Sequence, residues 1–354
     1  MSDKTPEKVI ISVDAMGGDF GPKEIIPALD IVIKGRPDVS FLIFGDKKQI
    51  NEYLSKYSEL NSRCEIHHTD NMIKSGDKPS AALRASKGSS MRMAIEAVKH
   101  GSADAVVSAG NTGALMALSK MVLKTVPGIH RPAIASVMPN VNSDVVMLDL
   151  GANVLVDAEN LVQFAILGSI FARAQKKMGN ASPKVGLLNI GSEDIKGPDH
   201  VREASDMLSK IDFPGRYIGF VEGNDITNGN VDVIVCDGYA GNIALKTAEG
   251  MGRLTKHYFK KSFTSSIFAK LGALFAYLPL KDLTQRMDPR MYNGGVFLGL
   301  NGLCIKSHGG ADALGFSTAV VMAVRLARQG YIDQVVHDIS HLTDQEDFVS
   351  HDID

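Results

Sequence analysis

A short polar segment, Ser108-Ala109-Gly110-Asn111-Thr112-Gly113-Ala114, is the strongest candidate for binding an anion in this sequence. It lies between an apolar run and a stretch with helical spacing, so its backbone amides open a helix. The first amides of a helix have no partner within it and carry a partial positive charge, which favours phosphate. The segment matches neither a Walker A motif nor G-x-G-x-x-G. We therefore predict a phosphate site here, with an ordinary helix cap as the alternative.

Glycine-rich polar turns follow several other apolar runs. After the first run, Asp14 precedes Gly17 and Gly18, which permit positive φ and a close approach to a ligand. The Asp14 carboxylate can hold a hydroxyl, a metal ion or the turn itself. Turns of the same kind supply further candidates for substrate binding: Asp149, Asn153, Asn189, Glu193, Asp237, Gly238 and Asn242. Each turn alone is more often structural, so a site requires that several of them meet.

A polar loop from Lys306 to Asp312 contains two residues with ionisable nitrogen. Lys306 and His308 can bind a phosphate together or polarise a carbonyl group. A single histidine in a loop is more often structural, so this assignment depends on the neighbouring turns.

Motifs for covalent and metal-dependent chemistry are absent from the sequence. There is no G-x-S-x-G nucleophile elbow and no H-E-x-x-H motif. The three cysteines, Cys64, Cys236 and Cys304, are not spaced as C-x-x-C, and none has an activating context. We therefore predict no covalent nucleophile, metal site or disulfide, and we expect a reducing cytosol.

Short β-branched runs alternate with helical patterns and place the polar turns at strand ends. We predict strands at Val9–Val13, Phe41–Phe44, Ala105–Ser108, Ala133–Val137, Val145–Leu148, Val185–Leu188, Tyr217–Val221 and Val233–Val235. Helical spacing covers Ser80–Lys99, Thr112–Val126 and Asn160–Met178. This alternation indicates a mostly parallel α/β sheet covered on both faces. In such a sheet the polar turns meet at one edge and form a large cleft.

Composition excludes several classes of protein. The 354 residues carry 38 Lys and Arg against 40 Asp and Glu, a net charge of −2 that does not suit a nucleic-acid binder. The longest apolar run, Leu271–Leu280, is about half of the roughly twenty residues that cross a bilayer. The polar N-terminus, Met1 to Lys8, does not resemble a signal peptide. We therefore expect an enzyme-sized α/β protein without a membrane span.

One segment, Arg253–Arg286, departs from this charge balance with seven basic residues and one acid. Apolar residues recur within it every three or four positions: Phe259, Phe263, Ile267, Leu271, Phe275 and Leu278. We predict a protruding amphipathic helical hairpin whose apolar stripe packs on the core or a second subunit, or lies on an anionic membrane surface. Its tip, Leu271–Leu278, is unusually apolar for a solvated loop. Both roles can hold at once.

The predicted domain organisation is simple. A single catalytic α/β domain covers residues 1–335, with the hairpin as an insertion over 253–286. The last 22 residues hold seven acids and no Lys or Arg, so we predict an acidic, mobile tail over 336–354.

The strand-end motifs, taken in order, resemble one known family. They are V-D-A-M-G-G-D-x-G-P from Val13, S-A-G-N-T-G-A-L from Ser108, L-D-L-G-A-N from Leu148, N-I-G-x-E from Asn189, G-F-V-E-G-N-D from Gly219, D-G-Y-x-G-N from Asp237 and K-S-H-G-x-A-D from Lys306. Together they are similar, over roughly residues 9 to 330, to the bacterial phosphate acyltransferases of phospholipid synthesis.

This resemblance implies that inorganic phosphate attacks the thioester of a long-chain acyl-carrier protein and gives an acyl phosphate. A membrane glycerol-3-phosphate acyltransferase then consumes the product. The resemblance also implies no cofactor, a homodimer, and peripheral attachment to the cytoplasmic face of the cell membrane. The implied fold is a three-layer α/β fold similar to isocitrate and isopropylmalate dehydrogenases and to phosphotransacetylase.

Such a reaction needs positioning and oxyanion stabilisation rather than a covalent intermediate, because phosphate is a nucleophile and a thiolate a fair leaving group. We assign phosphate to Gly110–Gly113 with Lys306 as counter-charge, and the thioester carbonyl to Asn242 and His308. The family is not known to need a metal, so the site acids, Asp14, Asp149, Glu193 and Asp237, are assigned scaffold roles.

Three alternatives remain open from the sequence. The first is a short-chain phosphotransacetylase acting on acetyl-CoA, and the second a metal-dependent NAD(P) dehydrogenase of the same fold. The dehydrogenase would need a set of arginines for a 2-hydroxy acid, which the strand-end motifs do not supply. The third is a non-catalytic scaffold at the membrane surface, which would not need a large polar cleft.

Overall fold

The computed structural model describes residues 8–176, 181–286 and 288–343, and within them eleven strands form one sheet. The strands are β1 (Val9–Asp14), β2 (Val39–Gly45), β3 (Cys64–His68), β4 (Ala105–Ser108), β5 (Ala133–Pro139), β6 (Asp144–Leu148), β7 (Lys184–Leu188), β8 (Arg216–Val221), β9 (Val233–Val235), β10 (Gly295–Leu298) and β11 (Leu303–Lys306).

Fourteen α-helices and one 3-10 turn, Pro289–Tyr292, accompany the sheet in the described ranges. The helices are α1 (Pro22–Gly35), α2 (Lys47–Leu54), α3 (Ser58–Asn61), α4 (Pro79–Ala85), α5 (Ser90–Lys99), α6 (Thr112–Leu123), α7 (Ala158–Lys176), α8 (Asp199–Leu208), α9 (Asp225–Asn228), α10 (Gly238–Thr264), α11 (Ile267–Phe275), α12 (Tyr277–Arg286), α13 (Ala313–Arg328) and α14 (Tyr331–Thr343).

Helices cover both faces of the sheet, as the sequence predicts. Successive side chains of a strand point to opposite faces. Ile11 and Val13 of β1 point into one core beside Val320 of α13, whereas Val106 of β4 points into the other core beside Leu115 of α6. The architecture is therefore three-layered.

The sheet order is β3-β2-β1-β4-β11-β10-β5-β6-β9-β7-β8, and seven of its ten ladders are parallel. The three antiparallel ladders join β11 to β10, β10 to β5 and β5 to β6. As a result β6, β7, β8 and β9 run opposite to β1, β2, β3, β4 and β11. The polar turns therefore do not all follow strands of one direction, as a purely parallel sheet would require. They form two groups, one after β1, β4 and β11 and one after β6, β7, β8 and β9. The register aligns Leu148 with Ile305 through Ala135 and Val296, so the turns after β6 and β11 still lie at a similar height in the sheet.

The eight predicted strands are present, each within two residues of its predicted ends. Three strands were not predicted. Of these, β3 is a polar edge strand, and β10 and β11 have only four residues each. The predicted helix Ser80–Lys99 is divided into α4 and α5 by a turn in which Gly88 takes a φ of 72°.

The predicted helical hairpin is not confirmed; the segment forms parts of three consecutive helices. A helix begins at Gly238, well before the basic segment, and its continuation is divided at Ser266, whose side chain caps α11, and again at Ala276. Phe259 and Phe263 therefore lie on α10, Ile267, Leu271 and Phe275 on α11, and Leu278 on α12. The predicted apolar tip is helical rather than a loop.

The chain after residue 335 departs from the predicted tail. Residues up to Thr343 continue α14, which buries Val335, Ile339 and Leu342 against the core. The rest of the predicted tail, 344–354, lies outside the described residues. In the part of the chain that is described, no helix has both the length and the hydrophobicity needed to cross a bilayer.

Candidate active site

A cavity of about 760 Å³, which we call the large cavity, lies between β5, α10 and the loop after β11. Its polar lining residues include Thr112, Asn242, Lys246, Glu249, Lys306 and His308. Its apolar wall includes Ile134, Val137, Met138, Val141, Leu150, Leu245 and Met251. A polar region with several basic side chains therefore adjoins an apolar wall, which suits a ligand with an anionic part and an apolar part.

The N-terminus of α6 contributes to this cavity through Thr112. Asn111 caps the helix by accepting a hydrogen bond from the Ala114 amide at 3.0 Å, and its Nδ2 donates to the carbonyls of Ser75 and Asp77. The Asn111 side chain is thus engaged in hydrogen bonds within the protein. The amides of Thr112 and Gly113 open the helix and have no intrahelical partner, so they remain donors for an anion.

Asp14 is the buried centre of the loops beside α6. Its two carboxylate oxygens accept the hydroxyls of Ser90 and Ser108, each at 2.7 Å. Burial raises the pKa of this carboxyl, although both hydrogen bonds oppose the shift. Asp14 does not line the large cavity. Its hydrogen bonds join the end of β1 to the end of β4 and to the start of α5.

Glycines keep the same loops in close contact. Ser108 accepts a hydrogen bond from the Gly110 amide, and a Cβ on Gly17 would lie 2.7 Å from that nitrogen. Gly18 takes a φ of 85°. These predicted ligand residues therefore pack the turns against each other.

Lys306 ends β11 and is the buried cation of the large cavity. Its Nζ donates to the carbonyl of Ala109 at 3.2 Å and to that of Ser307. Burial lowers the pKa of Lys306 to about 8, while Asp14 and Asp19 act in the opposite direction. With a pKa of about 8, the Lys306 ammonium is mostly protonated at neutral pH although it is not fully solvated, and it can stabilise a bound anion.

His308 lies against α10. Its Nε2 is 3.6 Å from Oε1 of Glu249, which also pairs with Lys246 at 3.0 Å. Burial lowers the pKa of His308; Lys246 and Lys306 add to this shift and Glu249 opposes it. The backbone amide of His308 donates to Asn293 at 3.1 Å, which fixes the loop. A depressed pKa favours a neutral imidazole that can accept a proton.

Sequence reasoning missed Lys246, Glu249 and Arg253, which line the large cavity from α10. The signal was present: Asn242, Lys246, Glu249 and Arg253 recur at helical spacing and so share one face. The excess of basic residues begins only at Arg253, so the charge pattern alone does not reveal that this face extends back to Asn242.

A second group of predicted residues surrounds Asp149, in the turn that follows β6. Its carboxylate accepts the amides of Ile134, Ala152 and Asn153 at 2.7 to 3.1 Å, and Nδ2 of Asn153 at 2.8 Å. Burial raises the pKa of Asp149, although these hydrogen bonds oppose the shift. Asp149 and Asn153 thus build a turn.

Helix α10 begins on this turn. Asp237 caps it by accepting the Ala240 amide, and a Cβ on Gly238 would lie 2.5 Å from the Asn153 carbonyl oxygen. One turn later, Nδ2 of Asn242 donates to the Leu150 carbonyl at 3.1 Å. The second hydrogen of this amide remains available inside the large cavity.

The structure separates Asn242 from His308. Asn242 and Glu249 are seven residues apart, which corresponds to about 10 Å along α10. The His308 ring lies beside Glu249, so it is displaced along α10 from Asn242. Lys246 lies between them.

Asn189 and Glu193 are not among the residues that line the large cavity. Asn189 accepts the Ile190 amide and donates to the Lys196 carbonyl, and Glu193 pairs with Lys196 at 2.7 Å on the surface. Its hydrogen bond with Lys196 lowers the pKa of Glu193.

The described residues contain one group of three close potential metal ligands, Asp46, His68 and Asp70. None of these residues lines the large cavity. The site acids named above thus do not form a group of this kind.

Comparisons with known proteins agree with this architecture. The chain is 49% identical over 338 residues to a protein named phosphate acyltransferase from Paramagnetospirillum magneticum, with 96% of each chain covered. A protein of the same name from Rhodospirillum rubrum is 48% identical over 332 residues, which cover 94% of this chain and 95% of the relative.

Solved structures of phosphotransacetylases share the fold. EutD phosphotransacetylase from Staphylococcus aureus superposes with a TM-score of 0.60 at 17% identity, covering 92% of this chain and 95% of that one. A phosphotransacetylase from Streptococcus pyogenes gives a TM-score of 0.60 at 18% identity, covering 91% and 94%. The predicted similarity in fold to phosphotransacetylase is confirmed.

A family model described as "Fatty acid synthesis protein" matches residues 9–334. Together with the identity to full-length relatives, this match shows that the chain belongs to the fatty acid synthesis protein family, as an acyltransferase related to the proteins named phosphate acyltransferase.

Proposed function

We propose that this protein transfers a long-chain fatty acyl group from the thioester of an acyl-carrier protein to inorganic phosphate, giving an acyl phosphate. One observation carries the proposal: Lys246, Lys306 and His308 adjoin an apolar wall within one cavity. The names of the relatives support the same reaction. The basic region suits phosphate, and the apolar wall suits the fatty chain.

Phosphate binds at the N-terminus of α6, in this proposal. Thr112 offers its amide and hydroxyl, and Lys246 and Lys306 supply positive charge in a site that is partly shielded from water. Electrostatic attraction is stronger there than in bulk solvent. The phosphate is thereby held beside the carbonyl carbon that it attacks.

The acyl transfer conserves atoms and charge. A phosphate oxygen forms a bond to the thioester carbon, and the C–S bond breaks with the electron pair leaving on sulfur as a thiolate. The remaining amide hydrogen of Asn242 stabilises the oxyanion that forms on the carbonyl oxygen. Neutral His308 accepts the proton that phosphate loses and returns it to solvent, where the thiolate is protonated.

The test is direct trapping of the product with hydroxylamine, which converts acyl phosphate into a hydroxamate. Pure protein is incubated with palmitoyl-acyl-carrier protein, with and without phosphate. We expect hydroxamate and free carrier thiol in equal amounts, and only when phosphate is present. Activity on acetyl-CoA alone would contradict the long-chain assignment, and no product from either donor would contradict acyl transfer to phosphate.

The exposed apolar surface of α10, α11 and α12 has two proposed roles. A second subunit covers the exposed apolar side chains of α10, which include Leu254, Tyr258 and Phe259. Helices α11 and α12 lie on the inner face of the cell membrane, because Phe275 and Leu278 are exposed next to Lys270 and Lys281. The acyl phosphate is then released where a membrane glycerol-3-phosphate acyltransferase can use it.

Removing two exposed aromatic side chains tests the membrane contact. Phe268 and Phe275 are 81% and 89% exposed, and the double change Phe268→Asp and Phe275→Asp places two anions where lipid is expected. We expect at least a tenfold loss of binding to vesicles of phosphatidylcholine and phosphatidylglycerol, measured by co-sedimentation. Ile31→Asp, at an exposed apolar residue of α1, is the matched control. Equal vesicle binding by the double variant and the control would show that α11 does not contact the membrane.

A further inference from the structure

A second cavity of about 560 Å³ opens beside the large cavity, and the reaction as proposed does not use it. Helix α6 lines both: Thr112 faces the large cavity, and Met116 faces the second one. These positions are one helical turn apart, about 6 Å along the axis. The turn after β6 also lines both, through Leu150 on one side and Ala152 on the other.

The charges that line the second cavity have one sign. Lys120 and Arg131 are its charged lining residues, and no carboxylate lines it. Lys120 donates to the His130 carbonyl at 3.2 Å, which holds its ammonium near the cavity. Among the described residues, Arg131 has no hydrogen-bond or ion-pair partner. An unpaired guanidinium beside a lysine favours an anion, and phosphate in particular.

The remaining lining is largely apolar. Met116, Pro132, Val154 and Leu155 contribute to it, and Val154 and Leu155 are 65% and 81% exposed. The cavity therefore suits a long ligand that carries both apolar groups and a phosphate.

We propose that the second cavity binds the phosphopantetheine arm of the acyl donor, with the phosphodiester of the arm between Lys120 and Arg131. This inference rests on the proposed function, because it assumes a pantetheine thioester as donor. Such a thioester extends in two directions from its carbonyl carbon, and each direction needs its own channel. The large cavity takes the acyl chain and phosphate, and the second cavity takes the arm.

The geometry of the shared turn supports this division. Gly151 lies against Asn242, and a Cβ on Gly151 would be 3.0 Å from Nδ2 of Asn242. Asn242, the proposed oxyanion donor, thus lies where the two cavities approach each other. When the thioester sulfur lies at this point, the thioester carbonyl lies in the large cavity, within reach of Asn242 and the bound phosphate.

The test compares three palmitoyl donors that differ in the arm: palmitoyl-acyl-carrier protein, palmitoyl-phosphopantetheine and palmitoyl-pantetheine without phosphate. Arg131→Ala is expected to raise KM about tenfold for the two donors that contain phosphate, and to leave the KM for palmitoyl-pantetheine unchanged. Lys120→Ala should show the same pattern. Lys99→Ala, at an exposed residue of α5 outside both cavities, is the matched control.

Each other outcome overturns the inference. An equal rise in KM for all three donors would show that Arg131 does not recognise the phosphate of the arm. A rise confined to the carrier protein would place its folded surface, rather than the arm, on these cations. If the unaltered protein forms no acyl phosphate from any donor, the proposed function itself fails, and this inference fails with it.

Discussion

Replacement of Lys306 with methionine is expected to lower kcat/KM for phosphate by about 10² to 10³. Lys306 is a buried cation of the large cavity, where the proposed reaction places both the phosphate and the developing oxyanion. Methionine has a similar length and removes the charge. The effect is expected to appear in steady-state rates of acyl phosphate formation at varied phosphate concentration.

Lys246→Met is the matched control for this change. Lys246 also lines the large cavity, but it is exposed and paired with Glu249, so less of its charge reaches a bound phosphate. We expect a smaller loss, about tenfold. Circular dichroism and thermal unfolding of both variants control for the lost hydrogen bonds from Lys306 to Ala109 and Ser307. Equal losses in the two variants would contradict a special role for the buried lysine.

The pH dependence provides a second measurement on the same residue. Burial lowers the pKa of Lys306 to about 8, so the ammonium predominates below this pH and is lost above it. If the cation is needed, kcat/KM for phosphate falls as the pH rises through about 8 in the unaltered protein. Lys306→Met should lack this alkaline fall. If Lys306→Met shows the same fall of kcat/KM at alkaline pH, that fall reports the titration of another group.

Much of the fold could be predicted because its strands are continuous apolar runs that end in glycine or an acid. The run at Val145–Leu148 is an example, since Asp149 follows it and its predicted C-terminal bound is that of β6. The directions of the strands could not be predicted. They depend on β10, a strand of four residues, and on the tight turn between β5 and β6. Periodicity gives no information about which edge of a sheet a strand points to.

The candidate site was predicted in part for the same reason. Lys306, His308, Thr112 and Asn242 share the large cavity, as their positions at strand ends suggest. Asp14 and Asp149 come from equally polar turns, yet they are buried and saturated with hydrogen bonds to serines or amides. A sequence does not distinguish a carboxylate that faces a ligand from one that holds a turn. That distinction requires the positions of partners such as Ser90, distant in sequence from Asp14.

Asn242→Asp is expected to lower kcat by about 10² to 10³ with a much smaller effect on the KM for phosphate. The aspartate keeps the size of the side chain, but a negative oxygen takes the place of the amide NH2 group. The one uncommitted hydrogen of that group is thereby lost. An anion next to the carbonyl opposes the charge that develops as phosphate attacks. The hydrogen bond to the Leu150 carbonyl is lost as well, so the free energy of unfolding must be measured by urea titration.

A comparison with a second variant separates catalysis from structure. Asn153→Asp changes an amide to a carboxylate in the same turn, where Asn153 is buried, donates to Asp149 and Pro132, and lines the second cavity but not the large cavity. Its effect on the KM for the acyl donor is therefore measured alongside its stability. Asn153→Asp is expected to lower stability more than Asn242→Asp does, because it places a second carboxylate against Asp149. If Asn242→Asp were to retain kcat within about threefold while folding normally, the oxyanion would have to be stabilised elsewhere, and Lys246 would be the nearest remaining donor along α10. A loss of kcat without a loss of stability would instead identify Asn242 as a group that acts in the transition state, at the point where the two cavities approach each other.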